Sequence, residues 1–463
     1  MNAEAAAPAS VDRLWHPPES PHASLADLPA RERSLPERPG AAPERPYDVS
    51  ELVDLALRRN PETRRAWDEA RASAARVGRA VGPYYPTVGV EGQWGPQRFE
   101  NRTAPSGTTV HQDFSTPAVK LTWTLIDFGR RSAFLEESRQ QLLVAGLSFN
   151  REIQTVVFRT QTAFFIYDAA RARVRAAEQN LELARTVSQA VGDRLDLGLA
   201  TAPASLLARQ AEAQAAFELE DAKAKVDDAR ALLAVALGVP ANLPLEVASL
   251  ADQPLPPSIA AGVDELIADA VHQRPDLGAR VASARAREAG VERARAELYP
   301  EIGFTGWYGV DFSEFSLNGA PRERTNSPAY SALLHVDWKL FEGFERVNAI
   351  KQAEAESAAA RASLAAAEVD AIAAVWRAYS DFRAAQKKLQ FAEALLRASQ
   401  DAYESNVETY RNGLSTITEL LDSETDLANA RYTAIDSRAQ LLVSSAAIAY
   451  ATGAIDPAAA PSP

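Results

Sequence analysis

The chain is poor in the residue constellations that perform chemistry. None of its 463 residues is cysteine, which excludes disulfides and thiolate metal sites and leaves the redox compartment undetermined. Its five histidines, His16, His22, His111, His272 and His335, stand singly, without metal-ligand spacing. No Gly-x-Ser-x-Gly elbow, phosphate-binding loop or dinucleotide fingerprint occurs. Asp127-Phe128-Gly129 has the letters of a kinase tripeptide, but no Gly-rich loop or catalytic loop accompanies it, so it reads as a strand-to-helix junction. What remains is charge at helical spacing. Glu419 and Asp422 are three apart, which puts both carboxylates on one helix face. Thr416-Ile417-Thr418-Glu419 is a capping-box pattern, and capping alone accounts for Thr416 and Glu419. These residues imply no enzyme, no metal and no cofactor.

The elements that carry them are duplicated. Asn60-Pro61 returns as Arg274-Pro275, Tyr85-Pro86 as Tyr299-Pro300, Trp123 as Trp338, Gly198 as Gly413 and Thr201 as Thr416, at offsets of 214 or 215 residues. One module, repeated in register, replaces the several independent domains that length alone would suggest. Repeat 1 is expected over 47–238 and repeat 2 over 263–453. A Pro-rich tail over 1–46, a linker over 239–262 with one short strand around 245–247, and a short tail over 454–463 complete the chain. The net charge of −13 gives no electrostatic reason to bind nucleic acid. No run of about 20 apolar residues exists to span a bilayer as a helix. The start, Met1-Asn-Ala-Glu-Ala, lacks the basic and apolar stretches of a signal peptide; if the protein is exported, this numbering begins at a mature or engineered start.

Each repeat reads as helix, two strands, one very long helix, a tight turn and a returning helix. Proline is absent from Ala118 to Ala202 and from Ala329 to Asp456, stretches rich in helix formers. Long helices are expected over 130–197 and 345–412, each roughly 100 Å at about 1.5 Å per residue. Ala355, Ala358, Ala359, Ala362, Ala365 and Ala366 are expected to face the core and permit close helix approach. Gly198 and Gly413 follow these helices where a left-handed residue closes the last turn. Gly129 and Gly343 are expected to bend strand into helix. Strands over 87–95, 116–126, 301–311 and 330–341 alternate apolar and polar residues. Val119, Leu121, Trp123 and Leu125 share one face, with Lys120, Thr122 and Thr124 opposite. Membrane strands read this way, and so does a soluble hairpin lying on a core. The polar segments 97–113 and 313–328 are expected to be exposed loops. Four strands are too few for a membrane barrel, which takes about eight or more. Membrane strands would therefore predict a homo-oligomer, and an open bore favours twelve strands from three chains.

In these residues the chain resembles the TolC-like outer membrane efflux protein family over residues 48–453. The resemblance rests on Leu55-Ala-Leu-Arg-Arg-Asn60-Pro61, the two Tyr-Pro pairs, Trp123-Thr-Leu-Ile-Asp-Phe-Gly129-Arg130 with Trp338-Lys-Leu-Phe-Glu-Gly343, and the segments Leu197-Gly-Leu-Ala-Thr201 and Asn412-Gly-Leu-Ser-Thr416. It implies an α+β membrane protein: a homotrimer with a twelve-stranded barrel in the outer membrane of a Gram-negative bacterium, in contact with its lipid, and a long α-helical barrel crossing the periplasm. Such proteins are passive exit ducts for drug efflux or type I protein secretion. A periplasmic adaptor and an inner-membrane pump of RND, ABC or MFS type supply energy and cargo.

The resemblance also assigns roles. The turns carrying Gly198, Leu199 and Thr201, and Gly413, Leu414 and Thr416, would form the periplasmic tip and contact the adaptor. Glu419 and Asp422 would line the pore as stacked acidic rings, selecting cations, and Tyr410 matches a tip tyrosine. Two positions depart from the family pattern: Ser415 replaces a gating arginine and Ala204 replaces its aspartate partner. A latch would then need other contacts, such as Arg411 or Arg209. The competing reading is a coiled-coil scaffold without a pore, which explains the long helices but not the paired strands.

Overall fold

The structure is a computed structural model and describes residues 46–101, 108–243, 245–249, 255 and 262–455. All of the Pro-rich tail except Pro46, and the C-terminal tail beyond Ile455, lie outside the described residues. The order is α1 (Val49–Arg59), α2 (Pro61–Val81), β1 (Thr87–Asn101), β2 (Thr108–Ile126), α3 (Arg130–Asp196), α4 (Ala202–Leu237), α5 (Val263–Gln273), α6 (Pro275–Ala296), β3 (Glu301–Leu317), β4 (Glu323–Asp337), α7 (Glu345–Arg411) and α8 (Ile417–Thr452). Both long helices are 67 residues, one residue short of the expected spans.

Proline explains the first landmark of each repeat. Pro61 and Pro275 each occupy a helix's first turn, where the missing N–H costs nothing. The Asn60 side chain caps α2 through Glu62 N–H (2.8 Å) and donates to the Ala236 carbonyl (3.0 Å). Gly238 closes α4 against this corner, where an added Cβ would sit 2.8 Å from the Asn60 Cα. The linker strand is a single parallel bridge, Tyr47 to Val247.

The strands form one antiparallel sheet in the order β1-β2-β3-β4. Its registers align apolar rungs across all four strands: Val90–Val119–Tyr308–Tyr330 and Val88–Leu121–Gly306–Ala332. Lys120 and Glu91 pair across the opposite face (3.3 Å). No described helix packs over the apolar face, and Val90, Trp94 and Tyr330 are 83%, 79% and 81% exposed. A hairpin lying on a soluble core is therefore excluded.

The sheet also corrects the loop expectation. β1 continues to Asn101, β2 begins at Thr108, β3 runs to Leu317 and β4 begins at Glu323. Much of 97–113 and 313–328 is therefore strand. These residues are polar because they lie beyond the apolar band, yet the ladder still satisfies their backbone: Arg98 opposes His111, and Phe312 opposes Asn326. Ion pairs Arg322–Asp113 (3.0 Å) and Arg324–Glu314 (3.5 Å) decorate this end.

At its other end the sheet turns into the long helices through a duplicated latch. Arg131 donates to the Asp127 carboxylate (2.8 Å), to the carbonyls of Thr124 (2.6 Å) and Leu125 (3.0 Å), and to that of Pro83 (3.1 Å). At an offset of 215, Arg346 pairs with Glu342 (3.0 Å) and donates to the carbonyls of Lys339 and Glu297. The Trp123 indole donates to the Tyr84 carbonyl (3.0 Å), and Trp338 does the same to Leu298 (3.1 Å). The bend itself is a pair of left-handed residues: Phe128 and Gly129 (φ 51° and 104°) in one copy, Gly343 and Phe344 (φ 58° and 67°) in the other. The glycines are thus not equivalent. Gly129 aligns with Phe344 and Gly343 with Phe128, so each bend forces one phenylalanine into a region that disfavours a side chain.

Below the junction α3 is the spine of the chain, packing against α2 and α6 nearest the sheet and against α4 and α8 from about residue 151 down to the tip. Its buried positions are largely small, among them Ala163, Ala170, Ala177 and Ala184. The α7 expectation is not met within one chain. Ala355, Ala358, Ala359, Ala362, Ala365 and Ala366 are all exposed in the chain, whereas Ser357 faces inward. Among the described residues, upper α7 meets α6 along one edge only, which leaves most of its circumference open. Two mid-length cores hold the helices together. Phe164 anchors one, with Leu52, Leu233 and Leu237; Phe382 anchors the other, with Val375, Leu389 and Leu441.

Arg131→Ala should destabilise the protein by about 2–4 kcal/mol, because it leaves the buried Asp127 carboxylate without its cation. Arg346→Ala should cost less, since Glu342 is more exposed and keeps Lys339 at 2.7 Å. Thermal melts of detergent-solubilised protein would show this order, and equal or negligible shifts would refute the latch.

Candidate functional site

The two helix-helix turns, α3 to α4 and α7 to α8, lie together at the end of the molecule farthest from the sheet. The sequence folds them alike. Gly198 and Gly413 adopt φ of 73° and 71°. Leu199 N–H returns to the Arg194 carbonyl (2.7 Å) and Leu414 N–H to that of Thr409 (2.9 Å), closing each long helix. Thr201 and Thr416 then cap the returning helices. Leu199 and Leu414 are left 66% and 80% exposed, an apolar pair displayed at the extreme end. The core behind them joins Val187 and Val191 of α3, Ala208 of α4, Tyr403 of α7, and Leu420 and Leu427 of α8.

The capping box expected at Thr416 forms in full. Glu419 N–H donates to the Thr416 hydroxyl (3.3 Å), and a Glu419 carboxylate oxygen accepts from Thr416 N–H (2.8 Å). Glu419 therefore has a structural duty whatever else it does. Asp422 shares its exposed face, and Asp426, four residues on, extends that face. None of Glu419, Asp422 and Asp426 forms an ion pair with a described residue. Asp426 was legible in the sequence as the next acid at helical spacing and was overlooked.

The positions that depart from the family pattern make no ion pair with each other. The Ser415 hydroxyl instead bonds that of Thr409 (3.2 Å), and Ala204 lies against the tip core. Arg411 and Arg209 are exposed and form no ion pair among the described residues. The contact that joins the two turns comes from another residue, Arg194. Its guanidinium donates to the Tyr410 carbonyl (3.2 Å) and lies 5.0 Å from the centre of the Tyr410 ring. Sequence reasoning missed it because the offset of 215 pairs Arg194 with Thr409 and Tyr410 with Leu195. Repeat matching cannot reveal a contact between non-equivalent positions. Gly129 and Gly343 belong to the junctions at the opposite end, not to this site.

No helix of the described residues is long and apolar enough to cross a membrane, and no group of their side chains could hold a metal ion. The site is an end of packed helices carrying apolar turns and an acidic face.

The comparisons agree with this architecture. The family model described as outer membrane efflux protein matches residues 52–239 and 266–454, one match for each repeat. The chain is 32% identical to Protein CyaE of Bordetella pertussis, over 73% of this chain and 69% of that protein. It is 27% identical to the pyoverdine export outer membrane protein OpmQ of Pseudomonas putida, over 64% of this chain and 63% of that one. The outer-membrane channel OprN superposes with a TM-score of 0.76 at 22% identity, covering 88% of this chain and 89% of its own. The chain belongs to the outer membrane efflux protein family: it is not an enzyme but an outer membrane protein of a Gram-negative bacterium that extends into the periplasm.

Proposed function

We propose that the chain assembles as a homotrimer and serves as the passive exit duct of a tripartite efflux pump or type I secretion system. A periplasmic adaptor would grip the exposed turns around Gly198, Leu199, Thr201, Gly413, Leu414 and Thr416, and an inner-membrane pump would supply cargo. The observation that carries this reading is that one chain leaves matching surfaces unpartnered. β1 and β4 are the free edges of the sheet, and an unpaired edge cannot stay bare inside a membrane.

The helices match as well. Trp376, Phe391 and Leu395 of α7 and Phe217, Leu232 and Val235 of α4 are exposed in the single chain. Leu395 lies 16 residues before Arg411 and Phe217 lies 15 after Ala202. Trp376 lies 35 before Arg411 and Val235 lies 33 after Ala202. At about 1.5 Å per residue each pair lies within about 3 Å of the same height above the tip. Burying such a side chain contributes about 1.5–3 kcal/mol, so α7 of one protomer has reason to pack on α4 of the next. Three chains then give twelve strands and an open bore. A poreless coiled-coil scaffold would not account for the uncovered apolar sheet. The export named for OpmQ supports an export role here; the cargo follows from the pump and is not assigned.

The absence of native cysteine makes the interface directly testable. Phe217→Cys/Leu395→Cys should cross-link under mild oxidation into covalent trimers on a denaturing gel. Intramolecular bonding alone would overturn the arrangement. At the tip, Arg194→Ala should raise basal conductance in planar bilayers several-fold by releasing Tyr410, and unchanged conductance would remove Arg194 from the closed state. Glu419→Gln/Asp422→Asn keeps a capping side chain at Glu419 while removing both charges. The double variant should shift the reversal potential in a salt gradient toward zero, and retained cation selectivity would rule out these residues as the filter.

A further inference from the structure

One carboxylate of α8 is buried with an oxygen that has no hydrogen-bond partner among the described residues. Glu424 lies five residues past Glu419, but on the other side of the helix. Glu419 and Asp422 are exposed, whereas Glu424 is only 8% exposed. Leu420 and Leu427, one helical turn before and after it, pack with Val187, Val191, Ala208 and Tyr403 in the tip core. One oxygen of its carboxylate is shut off from solvent without a hydrogen-bond partner among the described residues. An ionised carboxylate in such a place carries an uncompensated desolvation cost.

The surroundings offer no relief. The titratable group that α7 places near Glu424 is Tyr403, while α3 and α4 contribute Val187, Val191 and Ala208 to the same core. Arg431 of α8 and Arg411 of α7 act on the Tyr403 phenol, and no described charge offsets the burial of Glu424. Burial pushes the Glu424 carboxyl up to about 7. The Tyr403 phenol is also pushed up, first by burial and then by Glu424. At the offset of 215 the first copy has Arg209, which is exposed, so each chain has this buried acid once.

We infer that Glu424 is a proton-controlled element of the periplasmic tip, which when neutral fits the packing of α8 against α3 and α7 and when ionised forces that packing apart and widens the duct. This rests on the reading of the chain as a duct narrowed at its tips. A carboxyl whose value is higher in the closed packing than in water favours the closed form most at low pH. The closed form loses ground as pH rises from the ordinary value of 4.5 to about 7, and the loss is complete above that.

The test is single-channel recording of the full-length protein in planar bilayers from pH 5 to pH 8. The natural chain should show the ratio of open to closed rising by roughly ten- to a hundredfold across this range. Glu424→Gln, neutral at every pH, should stay at the low-pH level throughout. Glu419→Gln/Asp422→Asn should keep the pH response, which separates the buried acid from the exposed ones. Should Glu424→Gln assemble poorly, Glu424→Leu fills similar space without charge and should likewise stay closed. A Gln or Leu variant that opens with pH as the natural chain does would overturn the proposal. So would a natural chain that conducts without any pH response. A natural chain that inserts as a trimer but conducts at no pH would overturn the duct reading itself, a result distinct from a conducting trimer indifferent to residue 424.

Discussion

Everything in this chain follows from a sheet that cannot be completed alone. Four antiparallel strands expose an apolar face that no described part of the chain covers, and leave β1 and β4 unpaired at the edges among the described residues. In water that face would aggregate, and in lipid the open edges would leave backbone groups without partners. Both faults are removed together when copies of the chain close edge to edge and the apolar face meets lipid. The helices must then continue the wall that the strands begin. The Arg131 and Arg346 latches fix this continuity, because they tie the first turn of each long helix to carbonyls at the end of the preceding strand. Stacking of Phe128 on Tyr299, with ring centres 5.6 Å apart, ties the two copies to each other at the same level.

The duplication builds the tube, and the tips are where the copies part. Junctions, Pro corners and turn glycines recur with the same geometry in both halves. Near the tip the correspondence ends. Arg194 has Thr409 as its counterpart, Tyr410 has Leu195, Glu424 has Arg209, and Glu419 and Asp422 have Ala204 and Leu207. A tube of equivalent elements tolerates no local exception along its length, because each helix must pack on two neighbours. Its free end meets fewer neighbours, so side chains there can differ between copies without disturbing the wall.

Much of this was legible in the sequence, because the governing signals are long and periodic. A proline-free stretch between Pro117 and Pro203 could hold one long helix, and the alternation around Trp123 and Trp338 could be assigned to faces. Strand ends were not legible. Polar residues such as Arg98 and Asn326 look like loop in isolation and become strand only because a partner strand continues beside them. The α7 alanines misled for a related reason. Small residues signal close approach, but not whether the neighbour belongs to the same chain. Arg131, Arg346 and Arg194 were missed because an arginine's reach to carbonyls leaves no pattern in composition. The first two did recur at the repeat offset, and that was the available signal.

The distribution of packing along the helices says where the duct can move. At the top, each long helix is pinned by a charged latch. Half-way down, the cores around Phe164 and Phe382 fill with large side chains that are fully buried. At the bottom, the core contains an unpartnered acid, the polar contact between the two long helices is one hydrogen bond with a cation–π stack, and Leu199 and Leu414 face outward. Such contacts are worth about 1 kcal/mol each, far less than the apolar burial half-way up. Local opening is drawn from the least stable part of a structure. The helices should therefore pivot below the two mid-length cores, with the barrel and junctions held still. The adaptor proposed to cover the exposed leucines would then shift the balance at the tip without straining the membrane end.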